Sequence, residues 1–499
     1  MSQNLPSLSD KSQISKEAPV DLKDLKKKSV RGGAINLLAQ AIQVGIQLAS
    51  TVVLARLLGP EEYGVIAMVM AVAAFAQVFG DLGLSTAAIQ KKGLTDAQQT
   101  NLFWLNVLVG LVLTCVVAAS APLVVKFYAR EELLWVTVAV SINFLIASLG
   151  AQHSARLVRD MQFAKKSIAT IAGALVTLLL SIYLAYAGCS YWSLVWGRLA
   201  GALVAMLLLW CFSPFLPSLP NRGSEMRELV GFGANVTASS FVNYFSRNLD
   251  NILIGKYVGA EALGFYGRAY QLLMFPINSL RAPIQAVAFP AMSRLDPNSE
   301  EYRRYYSQLV RVVSWLTMPL MAFVCMSADD IVDVVLGDTW ADVAPILAIL
   351  ALVGIVQPVS SLRGIIMLSS GQTKRQLKAT VMTAILVLSS FCFGINWGVT
   401  GIAWSYAIAV WGVALPMQYY SSQNTSIRLS DVLSVIKVPL FCVGLSIFIM
   451  CFHSRSQWLS TYSIISVNFV IVFVISGLAF FLEKEARCMF LEGYNFLRR

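Results

Sequence analysis

Long apolar runs separated by tight clusters of charge constrain this chain more than any motif does. Only 13% of its 499 residues are charged, against 57% hydrophobic, where a soluble chain carries about 25% charge. A run of about 20 apolar residues lets a helix cross the hydrocarbon core. In that medium every backbone N–H and C=O must find a partner within the protein, and for runs of this length the helix is the element that manages it. The expected fold class is therefore an all-α integral membrane protein.

Dividing the chain at charge, Gly and Pro clusters gives fourteen apolar segments. They lie near 32–55, 63–88, 101–125, 134–156, 165–187, 190–213, 230–257, 263–289, 310–328, 342–368, 377–396, 398–420, 434–452 and 462–482. No connection between them is long enough for a folded extramembrane domain. Lys and Arg set the orientation, because cytoplasmic loops retain them. With the N-terminus inside, 28 of the 38 basic residues fall on the cytoplasmic side, among them Lys91, Lys92, Lys165, Lys166, Lys374 and Arg375. The outer side holds Arg56, Lys126, Arg130, Lys256, Arg268 and Arg455. Both termini are thus expected in the cytoplasm.

The first 30 residues are polar and Lys-rich, without the apolar core of a cleavable signal. The run "KDLKKKSVR" (Lys23–Arg31) reads as a topological anchor beside anionic lipid. The net charge of +11 is mostly this orientation signal, and no basic domain suited to nucleic acid is present. Eight cysteines lie in or beside apolar runs without CxxC spacing, and the two histidines, His153 and His453, are far apart. Neither pattern suits a disulfide framework or a zinc site.

The stretch "ARLLGPEEYG" (Ala55–Gly64) returns 200 positions later as "GKYVGAEALG" (Gly255–Gly264). Arg56 pairs with Lys256, Gly59 with Gly259, Glu61 with Glu261 and Gly64 with Gly264. The offset extends upstream, where "GGAINLL" from Gly32 aligns with "FGANVTA" from Phe232. Six segments separate the copies, an even number, so both have the same orientation. Such a parallel repeat, related by an axis along the membrane normal, is an architecture of transporters.

Polar residues follow the repeat. Asn36, Gln40, Gln43, Gln47, Ser50 and Thr51 share a narrow arc of segment one at helical spacing. In segment seven Asn235, Ser239, Asn243, Ser246, Arg247 and Asp250 do the same. The offset superposes Gln43 on Asn243, Gln47 on Arg247, Ser50 on Asp250 and Asp81 on Arg281. One such stripe would glue helices together by hydrogen bonds; two at equivalent positions point to opposite walls of a wet cavity.

Four arginines, Arg198, Arg247, Arg281 and Arg363, fall inside apolar segments. Each costs about 2.5–3.5 kcal/mol at a helix centre and so faces a cavity or a partner. Set against Asp81 and Asp250, they leave an excess of two positive charges, which favours an anionic cargo. A structural pairing of Asp81 with Arg281 is the competing reading. The candidate cavity residues are thus Arg247, Arg281, Asp250, Asp81, Gln43, Gln47, Asn243, Arg198 and Arg363.

No GxxxxGK[ST] P-loop, HExxH, GxSxG or Cys/His constellation occurs, so the chain reads as a non-enzyme that takes no cofactor. The one acidic cluster, "SADDIVDVVLGDTWAD", sits at an outer loop and reads as a solvated rim.

The stretches "LARLLGPEEYGVIAM", "FGDLGLSTAAIQKKG", "RNLDNILIGKYVGAEALGFYGRAYQL" and "LGDTWADVAPILAILALVGIVQPVSSLRG" resemble, in that order, the bacterial polysaccharide transporters of the Wzx type. The resemblance covers residues 30–420. It implies the multidrug/oligosaccharidyl-lipid/polysaccharide exporter fold, two six-helix lobes in a V plus two C-terminal helices. The organisation would be a basic tail (1–30), a first lobe (31–213), a cytoplasmic linker (214–229), a second lobe (230–420), helices 13 and 14 within 434–482 and a tail (483–499). It also implies the activity. Members flip oligosaccharides on undecaprenyl pyrophosphate across the bacterial cytoplasmic membrane, with a polysaccharide polymerase and a chain-length regulator as further partners. The family's cationic cavity would map onto Arg247 and Arg281, with Arg198 and Arg363 beside them. A cation-coupled drug exporter of the same superfamily would carry a net acidic cavity. A membrane polysaccharide polymerase or acyltransferase would need a large outer loop or a buried catalytic histidine.

Overall fold

Apolar composition without helix-breaking runs becomes helix throughout. The computed structural model describes residues 22–77, 79–80, 88, 95–220, 248–453, 461–483 and 485–487, and every regular element among them is helical. Among the described residues ten stretches are long and apolar enough to cross a membrane, one of them, Thr373–Ser422, being two helices joined by a short turn. The protein is a multi-pass membrane protein. Contacts divide the chain into two units, one of Met1–Leu57 and Val69–Phe245, the other of Leu58–Met68 and Ser246–Arg499.

In the first unit the helices are α1 (Leu22–Leu57), the second half of α2 (Pro60–Gln77), α3 (Asp96–Tyr128), α4 (Leu133–Arg159), α5 (Phe163–Tyr186) and α6 (Trp192–Phe212). Thr95 opens α3 with a capping box, its hydroxyl taking the Gln98 N–H while the Gln98 side chain takes the Thr95 N–H. The α3–α4 and α5–α6 pairs pack along their length, and α1 lies on α5. Lipid offers no hydrophobic drive between helices, so close backbone approach by small residues must supply the attraction. Gly197 and Gly201 of "GRLAG" do this on α6: a Cβ at either would overlap a Ser181 or Thr177 hydroxyl of α5. The helix α1 starts at Leu22 and so includes the lysine run, while its stretch apolar enough to cross a membrane is Ile35–Leu57.

The second unit holds α7 (248–257), α8 (Ala260–Met292), α9 (Glu300–Met326), α10 (Ala328–Val335), α11 (Val343–Ser361), α12 (Arg363–Ser369), α13 (Thr373–Gly394), α14 (Gly398–Ser422), α15 (Leu429–His453) and α16 (Thr461–Leu482). At its centre α11 packs on α8, α9 and α14, while α15 and α16 lie against α9. The last two helices are fixed by polar contacts. The buried Arg311 of α9 pairs with Glu483 at 3.5 Å and with Glu485, and Trp315 donates to Glu483 at 3.0 Å. Arg303 forks onto Asp431 at the start of α15, at 2.8 and 2.6 Å.

The segment 342–368, one span by its apolarity, is two helices that meet at Leu362. Pro358 cannot donate to the ladder, and Ser361 bonds back to the Pro358 carbonyl at 2.6 Å. Arg363 then caps the break, donating from Nε to the Ser360 carbonyl at 2.9 Å and from Nη1 to the Ala414 carbonyl of α14 at 3.3 Å. A broken helix at membrane depth is tolerated where it is buried in protein or lines a cavity.

The repeated loops meet inside this unit. Pro60 opens α2 and Ala260 opens α8, and the two helix starts cross so closely that no side chain fits between them. A Cβ at Gly64 would collide with the Ala260 carbonyl, and one at Gly264 with the Pro60 carbonyl. The contact is reciprocal under the 200-residue offset. Beside it the Tyr63 ring stands edge-on to Trp340 at 5.5 Å, and the Arg268 guanidinium lies 3.6 Å over Tyr63. Trp340 is fully buried and anchors the loop that carries the acidic cluster. Within that cluster, burial and then the neighbouring Asp329 and Asp333 push the Asp330 carboxyl above the usual carboxylate range.

Candidate functional site: a polar cavity in the second unit

The helix break faces a half-open cavity of about 640 Å³ lined by α7, α8, α11, α12, α13 and α14. Its lining follows α14 from Tyr406 to Ser421, about 22 Å at 1.5 Å per residue. That is most of the ~30 Å hydrocarbon thickness. Each lining helix contributes a polar side chain: Asn251 from α7, Asn278 from α8, Gln357 from α11, Arg363 from α12, Thr383 from α13 and Ser421 from α14. Polar groups on six helices, turned to one volume in a chain this apolar, need a polar occupant to offset their desolvation.

Two of the arginine and aspartate candidates come together here. Asp250 of α7 is buried and lines the cavity. Its carboxylate accepts from the Asn251 N–H at 2.8 Å and from the Tyr266 hydroxyl at 3.1 Å. Arg363 lines the same volume, and among the described residues no carboxylate lies within ion-pair distance of it. Its guanidinium holds one carbonyl of the broken helix and one of α14.

The other candidates divide between the first unit and positions outside the described residues. Gln43 of α1 is half-buried and donates to Thr170 of α5 at 2.9 Å, so it joins two helices. Gln47 is exposed, and its backbone carbonyl accepts from Thr51 at 2.9 Å. Arg198, next to Gly197, is exposed with its guanidinium against the Met70 thioether. Arg247, Asn243 and Asp81 lie outside the described residues, and of Arg281 only the backbone, on α8, is described.

Sequence reasoning passed over Gln357, Gln376, Thr383 and Tyr406. The dipeptide Gln357-Pro358 inside an apolar run was the available signal: a polar amide beside a residue that breaks the ladder marks a place where a membrane helix opens onto something polar.

Residues 53–345 match the model of a family described as "Polysaccharide biosynthesis protein". The chain is 29% identical to the teichuronic acid biosynthesis protein TuaB of Bacillus subtilis over 353 residues, 67% of this chain and 70% of that one. It is 25% identical to the lipopolysaccharide biosynthesis protein WzxC of Escherichia coli over 376 residues, 74% and 76% of the two chains. In fold it is similar to the lipid II flippase MurJ in an inward closed conformation, with a TM-score of 0.73, 13% identity and coverage of 94% of this chain and all of that one. With the family model matched over more than half its length, the chain belongs to the polysaccharide biosynthesis protein family, as its resemblance to Wzx-type transporters implies.

Proposed function

We propose that this protein is a flippase that carries oligosaccharides linked to undecaprenyl pyrophosphate across the bacterial cytoplasmic membrane for surface polysaccharide assembly. The observation that carries the reading is the polar cavity around Asp250 and Arg363, set among lipid-crossing helices in a chain of this family. It moves cargo and does not transform it. A pyrophosphate and its sugars cannot enter hydrocarbon unaided, because uncompensated burial of polar and charged groups costs too much. A cleft lined by amides, hydroxyls and arginines replaces their water, while the prenyl tail stays in lipid. Alternating access of the two repeat-related lobes then exposes the cleft to one side at a time. The polymerase and the chain-length regulator that use the product are the expected partners.

Arg247 and Arg281 are the proposed ligands of the pyrophosphate, with Arg198, Arg363 and Asp250 as further charged groups along the cargo's path and with Asn243, Gln43 and Gln47 as polar walls. Arg281→Ala should abolish surface polysaccharide while leaving the protein at near-normal abundance. Arg281→Lys should keep part of the activity, since charge survives but the two-pronged fork to phosphate does not. If Arg281 only balances Asp81, the double variant Asp81→Ala with Arg281→Ala will export normally, and that result would remove Arg281 from the site.

The orientation has its own test. In a cysteine-free background, an impermeant thiol reagent applied to intact cells should label a cysteine at position 261 and leave one at 374 unlabelled. The reverse pattern would overturn the cytoplasmic assignment of both termini.

A further inference from the structure

We infer that the cavity of the second unit is a subsite for the sugars of the cargo, reading neutral, hydroxyl-bearing rings rather than the pyrophosphate. The inference rests on the flippase reading and adds where in the protein the oligosaccharide is recognised.

Three observations carry it. The first is a pair of unsatisfied acceptors: Gln357 and Gln376 line the cavity, and their side-chain oxygens, turned away from solvent, have no hydrogen-bond partner among the described residues, so a rotation of either amide would bring an acceptor to an occupant. Buried polar atoms are nearly always satisfied, so a pair of orphans beside one cavity marks an absent donor. A sugar hydroxyl is such a donor, and it accepts in turn from Arg363, whose guanidinium carries five N–H groups.

The second observation is charge. Among the described residues, the charged side chains that line the volume are Arg363 and Asp250, one of each sign. A bare cation would require an acidic excess and a pyrophosphate a basic one, whereas a polyhydroxyl ring needs neither. The third is shape and surface. Phe391 and Tyr406, their rings 5.4 Å apart, form one wall, and Tyr270 forms part of another. Aromatic faces suit the apolar C–H face of a pyranose, and the polar residues suit its hydroxyl edge. The volume of about 640 Å³ falls within the roughly 300–1,000 Å³ of small-molecule sites. A site built to hydrogen-bond hydroxyls strongly rejects analogues that lack them, so this cavity would select which repeat unit is accepted.

The probe is the repeat-unit oligosaccharide released by mild acid from the producing strain's own surface polysaccharide, free of lipid and diphosphate. Saturation-transfer NMR against the full-length protein in detergent should show saturable binding that inorganic pyrophosphate does not compete away. Gln357→Leu and Gln376→Leu should each weaken it at least tenfold with the unfolding temperature unchanged. If either fails to fold, the near-isosteric Thr383→Val should show the same weakening. No saturable binding to the wild type, or equal binding by the folded variants, would overturn the subsite. So would a cavity whose variants lose stabilisation by sodium chloride and keep oligosaccharide binding. Deletion of the gene separates the two readings. A deletion strain that still makes its polysaccharide overturns the flippase assignment, whereas one that loses it while the binding result is negative overturns the subsite alone.

Discussion

Gly64→Ala and Gly264→Ala should each remove most of the folded protein from the membrane. At both positions the added methyl would collide with a backbone carbonyl, Ala260 in one case and Pro60 in the other. Overpacking a protein interior typically costs about 1–3 kcal/mol when neighbouring side chains can shift. Here the obstacle is main chain at the start of a helix, so relief requires moving α2 away from α8 and with it the Tyr63 ring from Trp340 and Arg268. Heating the detergent-solubilised protein and following its monodisperse fraction by size-exclusion chromatography would measure the loss. Gly45→Ala is the matched control: nothing lies within 4 Å of its new methyl, and the exchange favours a helix interior by about 1 kcal/mol. Equal stability of Gly64→Ala and Gly45→Ala would show that the crossing is not close-packed in the membrane.

The second large effect is expected at Arg311. This side chain is buried and shared between Glu483 and Glu485. Glu485 is mostly exposed, so the weight falls on Glu483, whose side chain retains 16% exposure. Removing one partner of a buried pair leaves an uncompensated charge and costs about 3–5 kcal/mol. Arg311→Leu should therefore lower protein abundance several-fold and loosen α16, read as protease sensitivity of the C-terminal end. Pairing it with Glu483→Leu removes the stranded carboxylate and should restore a substantial part of the loss. A double variant no better than the single one would place the role of Arg311 in packing and not in charge. The Arg303–Asp431 fork is more exposed, and pairs of that kind contribute about 0–1 kcal/mol.

Helices were legible where one physical signal determined them. The segments 377–396 and 398–420 became Thr373–Gly394 and Gly398–Ser422, because apolar length alone fixes a membrane span. The repeat was legible too, and its glycines at 64 and 264 turned out to touch the opposite copy's first helical residue. The break at Leu362 was not, since apolarity runs through it unbroken and only the hydrogen bonds of Ser361 and Arg363 reveal it. Arg363 was recognised as costly in lipid, yet its capping of two carbonyls depends on Ala414, fifty-one residues away. Arg268 was assigned to the outer side by charge alone, and its seat on Tyr63, a contact that crosses from one repeat to the other, left no trace in the sequence. Gln357 and Gln376 escaped notice because they belong to no stripe on a single helix; the cavity is defined by six helices at once. Sequence periodicity describes faces of one element, and a site assembled from many elements leaves only scattered traces in it.

The crossing of α2 and α8 has a genetic consequence. Most packing defects can be suppressed by trimming whichever neighbour is hit, and selection for restored growth finds such second-site changes readily. At Gly64 and Gly264 the atoms struck are carbonyl oxygens, which every amino acid carries, so no substitution at Ala260 or Pro60 removes the obstacle. Both positions are already occupied by the smallest residue, and each copy of the repeat imposes the restriction on the other. Revertants of Gly64→Ala should accordingly be true revertants, with no compensating alleles at the point of contact, and drift in either copy is closed off by the geometry of its twin.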